Sequence, residues 1–257
     1  MYIWAWENRV ANFLARNTLR EARKYPIEMV TLPKRFPKEV ADALTLKTAG
    51  IYYWPNESNM MRGKAMIIGP EGTPYAHCPL LFSLDFPRDY PFSSPAVSFL
   101  TSDGATRFHP NLYVAGKVCL SILGTWQGPL WSAAMTISTV LNSIQSLLEA
   151  NPITNEPGWE KYTLENVRAK DYADYIQFRL IALTICDLHR WKKGQPPHEW
   201  LEFEDVLRER GDTMYENLVA IVREKATHEE NIYTNIPYGM SGKTEWKRLL
   251  KEITSQG

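Results

Sequence analysis

Phe108-His109-Pro110-Asn111-Leu112-Tyr113-Val114-Ala115-Gly116-Lys117-Val118-Cys119-Leu120 follows neither a helical nor a strand period, and it belongs to an irregular stretch of about 25 residues after Arg107. Loops longer than about 12 to 15 residues are uncommon in compact domains and tend to carry function. Cys119 lies in this loop, eight residues after Asn111 of the His-Pro-Asn turn. A cysteine by itself is more often a small buried residue than a nucleophile. The setting of Cys119, in a long loop with Gly116 and Lys117 just before it, makes it the candidate for chemistry.

On the N-terminal side of this loop, short apolar runs alternate with Gly and Pro signals. In Leu80-Leu81-Phe82-Ser83-Leu84-Asp85-Phe86 the residues Leu80, Phe82, Leu84 and Phe86 fall on one face of a strand. Residues 44–54, 64–68 and 96–100 are the other strand candidates, and their short links predict a four-stranded antiparallel meander, since parallel neighbours need long crossovers. On the C-terminal side, Ile137, Val140, Leu141, Ile144, Leu147 and Leu148 form a helical stripe that predicts a packed helix from about 132 to 150, with Ser132 as its cap.

Strand signals stop from about residue 160. Residues 173–191 are apolar on more than one face, as in a helix held between others, and Cys186 within them reads as a small buried residue. Tyr215, Leu218, Val219 and Val222 form a further stripe, and Trp246, Leu249, Leu250 and Ile253 a last one. The expected architecture is α+β: a domain over residues 1–160 and an α-helical C-terminal extension over 161–257. Near the start, Ala11, Leu14, Ala15, Thr18, Ala22 and Tyr25 predict a helix ended by Pro26 whose arginines, Arg16 and Arg20 among them, point outward. Such a face is either simply solvated or a docking surface for an acidic partner domain.

Lys plus Arg and Asp plus Glu both number 29 in the 257 residues, so no net positive field draws nucleic acid or an anionic membrane. No uncharged run approaches the roughly 18 residues of a membrane span, and Met1-Tyr2-Ile3-Trp4-Ala5-Trp6 shows no basic-then-apolar leader. Three cysteines suggest no disulfide framework. The expected location is the cytoplasm, with the nucleus as a second compartment. Neither a Gly-rich phosphate loop, nor Cys-x-x-Cys, nor His-Glu-x-x-His is present, and the adjacent pair His77-Cys78 falls short of the four converging ligands of a zinc site. No cofactor and no metal are expected.

Phe108-His109-Pro110-Asn111, followed by Gly116-Lys117-Val118-Cys119-Leu120 and Trp131-Ser132, closely resembles the catalytic segment of ubiquitin-conjugating enzymes. The resemblance extends upstream through Gly69-Pro70-Glu71-Gly72-Thr73-Pro74-Tyr75 and Phe86-Pro87-Arg88-Asp89-Tyr90-Pro91-Phe92, and downstream to Asn155-Glu156-Pro157-Gly158. Ser121-Ile122-Leu123-Gly124-Thr125-Trp126-Gln127-Gly128-Pro129 and the long tail are similar to the large Z-type members, which pair with a second ubiquitin-activating enzyme. Two positions depart from most of the family: Ser121 stands where an acidic residue is usual, as in the Z-type pattern, and Ala133 where a proline is usual.

The resemblance implies a conjugating-enzyme fold and an acyl transferase that takes ubiquitin or a ubiquitin-like modifier from an activating enzyme as a Cys119 thioester. It then passes the modifier to a lysine of a target protein, with or without a ligase. Thiol exchange swaps one sulfur leaving group for another and needs no strong local base. Transfer to lysine passes through an oxyanion, for which the Asn111 amide is a suitable donor. The family assigns His109 to holding the turn, while Glu156 approximately matches an acidic position beside the cleft. Asn155 is the alternative to Glu156. Phe92, Ser132 and Ala133 fall where relatives touch ligases, and Phe92 reads either as an exposed contact or as buried against Trp131. Rival readings are an inactive modifier-binding scaffold, and a cysteine hydrolase using Cys119 with His77 or His109.

Overall fold

Gly50, at φ 76°, turns the chain into β1 (Ile51–Pro55), which pairs with β2 (Arg62–Ile68), then β3 (Pro79–Asp85), then β4 (Ala96–Phe99), each antiparallel to the last. The structure, a computed structural model, describes residues 33–56 and 58–255. Register places Ala65 opposite Phe82 and Phe82 opposite Phe99. Because side chains alternate across a sheet, Leu80, Phe82 and Leu84 share the inner face. They join one apolar core with Ile137, Val140, Leu141 and Ile144 of the helix that follows the Cys119 loop.

Helix α1 (Phe36–Leu44) closes one end of this core, with Phe36 meeting Phe86 edge-on at 4.9 Å. It also buries a carboxylate. Glu39 pairs with Arg35 and accepts from the Tyr90 hydroxyl and, at 3.1 Å, from the Ile137 N–H. An uncompensated buried charge is costly, so these donors are what make the site tolerable. The Arg35 guanidinium also donates to the carbonyls of Ala133 and Met135, which fixes the segment leading into α2 (Ile137–Leu147).

The outer face of the sheet is buried as well. Met66 lies opposite Tyr52 on one side and Leu81 on the other, and these three, with Trp54, are buried on the face away from Phe82. The cover comes from the C-terminal part of the chain. Helix α3 (Val167–Lys192), whose N-terminus is capped by the Asn166 side chain, brings Thr184 to Cys78. Helix α4 (Glu204–Lys225) brings Arg210 over the Tyr52 ring at 5.7 Å and Asn217 to His77 at 3.4 Å. Between them, Glu202 pairs with Lys64 of β2 at 2.8 Å. Burying a Met or Leu side chain stabilises by about 1.5–3 kcal/mol, so this cover is a substantial part of the fold's stability. Gly211 of α4 permits the close approach of α3, since a Cβ there would lie 2.9 Å from the Trp191 ring. The chain ends in a hairpin, β5 (Ile232–Ile236) and β6 (Met240–Lys243), and helix α5 (Trp246–Ser255).

The α+β fold, the four-stranded meander and the C-terminal helices agree with expectation. Several local expectations do not. The helix predicted from Ser132 begins at Ile137 and is capped by Thr136 with Thr139, because Arg35 holds the preceding carbonyls outside a helix. Residues 44–50, read as strand, complete α1 and a 3-10 turn. Cys186 is exposed, on the side of α3 opposite its buried stripe. Strands do return after residue 160: β5 and β6 are short and half polar, so they lack the alternation that would announce them. The predicted basic helix with Arg16 and Arg20 lies outside the described residues. Among those described, no helix is long and apolar enough to cross a membrane.

Candidate active site

The Cys119 loop is tied to the His-Pro-Asn turn by paired hydrogen bonds. A tight reversal at Gly116 (φ 91°) lets Tyr113 N–H donate to the Lys117 carbonyl, and Leu112 bridges to Val118, so the chain after Asn111 doubles back beside it. Cys119 N–H then donates to the Asn111 carbonyl at 2.8 Å, while Asn111 Nδ2 donates to the Cys119 carbonyl at 2.7 Å. Both residues are buried, Cys119 at 1% exposure and Asn111 at 5%. Asn111 Oδ1 has no partner among the described residues.

His109 is fully buried and accepts the Asn111 N–H on Nδ1 at 2.9 Å. Burial pushes its pKa down to about 3, against the opposing pull of the Leu147 carbonyl. The ring is therefore neutral near pH 7, with its lone pair on Nδ1 already engaged. His77 faces Asn217, and Cys78 is buried with its thiol pushed up to about 12 by desolvation, so neither is arranged around Cys119 as a nucleophile or base.

Thr125 connects this turn to a cleft. Its hydroxyl donates to the Val118 carbonyl at 2.8 Å and accepts the Leu120 N–H at 2.9 Å, bracketing Cys119 in sequence. The cleft, about 790 Å³, runs between Thr125, Trp126 and Gln127 on one side and Asn155, Pro157 and Glu160 on the other. Glu160 accepts the Gly158 N–H at 3.0 Å, and this bond with that of its own N–H holds its carboxyl below the usual range. Glu156 turns elsewhere: its carboxylate accepts from the Tyr238 hydroxyl at 2.6 Å. Asn155 donates to Glu149 at 2.5 Å.

A family model described as ubiquitin-conjugating enzyme matches residues 35–178. The chain belongs to the ubiquitin-conjugating enzyme family. It is similar to the ubiquitin-conjugating enzyme E2 Z of Danio rerio, 35% identical over 221 residues that make up 85% of this chain and 66% of the relative. The E2 Z of Xenopus tropicalis is 40% identical over 85% of this chain and 69% of its own length, and the human E2 Z 38% identical over 66% and 50%. The chain thus spans between half and about two thirds of these relatives. The matched region of this family member runs past residue 160 into α3.

The structure brings together His109, Asn111 and Cys119 of the residues singled out from sequence. It places Phe92 elsewhere, 80% exposed, close to where Trp131 donates to the Pro91 carbonyl at 2.7 Å. Trp131 packs on Tyr90, so Phe92 is free of it. Ser132 is exposed and Ala133 half-buried beside the exposed Leu130. Sequence reading missed Glu160, whose only local signal is the glycine two residues before it. It also missed Arg107 and Tyr238, which meet only in the folded chain.

Proposed function

We propose that the protein accepts ubiquitin or a ubiquitin-like modifier from an activating enzyme as a thioester on Cys119 and passes it to a lysine of a target protein, alone or with a ligase. The observation that carries this reading is the reciprocal pairing of Asn111 and Cys119. It keeps an amide donor beside the one cysteine that combines this loop with the family's motif. Carboxyl transfer between thiols needs a nucleophilic sulfur and little else. Transfer to an amine builds charge on the carbonyl oxygen, and Asn111 Nδ2 supplies a donor once it turns from the Cys119 carbonyl to that oxygen.

In this reading His109 is a positioning residue, since its engaged Nδ1 and low pKa make it a poor base. The incoming lysine must lose its proton, against an ordinary pKa near 10.4; Glu160, whose carboxyl is held below the usual range at the cleft, attracts and orients the ammonium group, and the proton itself leaves to water. Glu156 contributes by holding the cleft wall between Asn155 and Pro157. Phe92, Ser132 and Ala133 form the ligase-facing surface, while Arg16 and Arg20 meet the activating enzyme. An inactive scaffold is disfavoured by the presence of both Cys119 and Asn111, and a hydrolase by the engagement of both histidines away from the thiol.

The test is incubation with ATP and each of several pairs of activating enzyme and modifier, followed by non-reducing electrophoresis. A thiol-sensitive adduct is expected with the unmodified protein, a reductant-resistant oxyester with Cys119→Ser, and none with Cys119→Ala. A normal adduct on Cys119→Ala would refute the reading.

A further inference from the structure

The turn joining β5 to β6 places a tyrosine in a conformation that tyrosine rarely adopts. Tyr238 has φ 67° and ψ 22°, in the left-handed region that disfavours a Cβ. Such strain persists only where surrounding contacts hold it, and it concentrates at functional sites. The contacts here are specific. The Tyr238 ring lies 4.2 Å from the Arg107 guanidinium, whose other partner ring, Tyr113, is 3.6 Å away. Arg107 donates to the carbonyl of Pro110, inside the His-Pro-Asn turn. Two more residues of the C-terminal part hold Arg107 by its backbone: Tyr172 donates to its carbonyl at 2.8 Å, and Met240 Sδ accepts its N–H at 3.3 Å. The hydroxyl of Tyr238 meanwhile donates at 2.6 Å to Glu156, which lies in the chain between the cleft-lining residues Asn155 and Pro157. Burial and the Glu156 carboxylate raise the phenol pKa, so it remains a donor.

We propose that Tyr238 is a positioning residue for aminolysis, its ring fixing the Pro110-Asn111 turn through Arg107 and its hydroxyl fixing the lysine side of the cleft through Glu156. The inference rests on the conjugating activity proposed above. It assigns to the C-terminal hairpin a part in catalysis that lies outside the Cys119 loop and touches no substrate. A single side chain thereby sets the spacing between the amide that meets the oxyanion and the wall along which the amine arrives. Misplacement of reacting groups by a fraction of an ångström slows a step without removing any reacting group.

The experiment uses the full chain, with Tyr238→Phe, Glu156→Gln and the double variant. Phe keeps the ring on Arg107 and deletes only the donor. Thioester formation is measured first, then single-turnover discharge of the purified thioester over a range of free lysine concentrations. Tyr238→Phe is expected to charge within twofold of wild type, to keep its melting temperature, and to lose about tenfold in the maximal discharge rate with little change in the half-saturating lysine concentration. If the hydroxyl acts through Glu156, the double variant is no slower than the slower single variant. Discharge of Tyr238→Phe within twofold of wild type would overturn the inference and leave the proposed function standing, as would fully multiplicative losses in the double variant. Equal slowing of charging and discharge with a lowered melting temperature would reduce Tyr238 to a structural residue and overturn it too. Failure of the unmodified protein to form any thiol-sensitive adduct would overturn both.

Discussion

Asn111 and Cys119 hold each other by two hydrogen bonds running in opposite directions, backbone N–H to carbonyl at 2.8 Å and side-chain amide to carbonyl at 2.7 Å. Only the second depends on the identity of Asn111. Replacing it by alanine leaves the backbone bond in place. Thiol exchange has an easy leaving group, whereas amine attack has the higher barrier. Asn111→Ala is therefore expected to charge at a rate close to wild type and to discharge to free lysine about a hundredfold more slowly, if the lost donor is worth near 3 kcal/mol. A single-turnover chase of purified thioester, with a thermal melt alongside, checks this.

His109 makes the fold sensitive to acid. Its pKa is about 3 in the folded chain against an ordinary 6.5, so between those values the unfolded chain binds a proton that the fold does not. The contribution of this one group to stability is complete above pH 6.5 and falls by about 1.4 kcal/mol per pH unit below it. His109→Gln should flatten the acid limb of stability against pH by one proton, whatever its effect at neutral pH. Urea unfolding from pH 7 down to pH 4 gives the slope.

Asp187 works in the opposite sense. Burial raises its pKa from 3.8 to about 6, Arg190 opposing and Glu199 adding to the shift. The folded chain holds this proton more tightly than the unfolded one, so stability is lost as pH rises from about 4 through 6. Asp187→Asn should raise stability above pH 6, by up to about 3 kcal/mol, and change little near pH 4. Urea unfolding of the variant at pH 4 and pH 7.5 decides it.

The outer face of the sheet should answer to mutation as a core does. Met66 is buried between Tyr52 and Leu81 beneath the C-terminal helices, and Met66→Ala is expected to cost about 2–5 kcal/mol. Deleting residues 161–257 should bare the same patch and produce a protein that binds a hydrophobic dye and aggregates. A soluble truncated chain without dye binding would contradict the role given to this cover.

The three cysteines should separate by accessibility. Cys186 is exposed, Cys119 is 1% exposed and Cys78 is buried with a thiol held protonated to about pH 12. Brief alkylation of the native protein at pH 7.5, read by peptide mass spectrometry, should label Cys186 first, Cys119 more slowly and Cys78 only after denaturation.

The meander and the Cys119 loop were legible because their determinants are local. Leu80, Phe82 and Leu84 alternate within one strand, and His109, Asn111 and Cys119 lie within eleven residues of one another. The start of α2 was misplaced because it depends on Arg35, about a hundred residues away in the chain, which takes the Ala133 and Met135 carbonyls. Cys186 reads as buried in a helix apolar on several sides, and only the packing of α3 shows which side faces solvent. The β5 and β6 strands expose half their residues, so no alternation marks them. Tyr238 was invisible for a plainer reason. Its partners Arg107 and Glu156 come from two other parts of the chain, and nothing in Asn235-Ile236-Pro237-Tyr238-Gly239 points at them.

The cover over Tyr52, Trp54, Met66 and Leu81 is made by the same polypeptide, and this changes how that face competes for ligands. A tethered segment presents itself at an effective concentration in the millimolar range or above, which dilution does not lower. A separate protein seeking the same side chains would have to displace helices already seated there. A surface approaching the sheet from this side meets the C-terminal helices and, at the edge, the exposed Arg62–Asp85 ion pair at 2.8 Å, rather than the apolar side chains beneath.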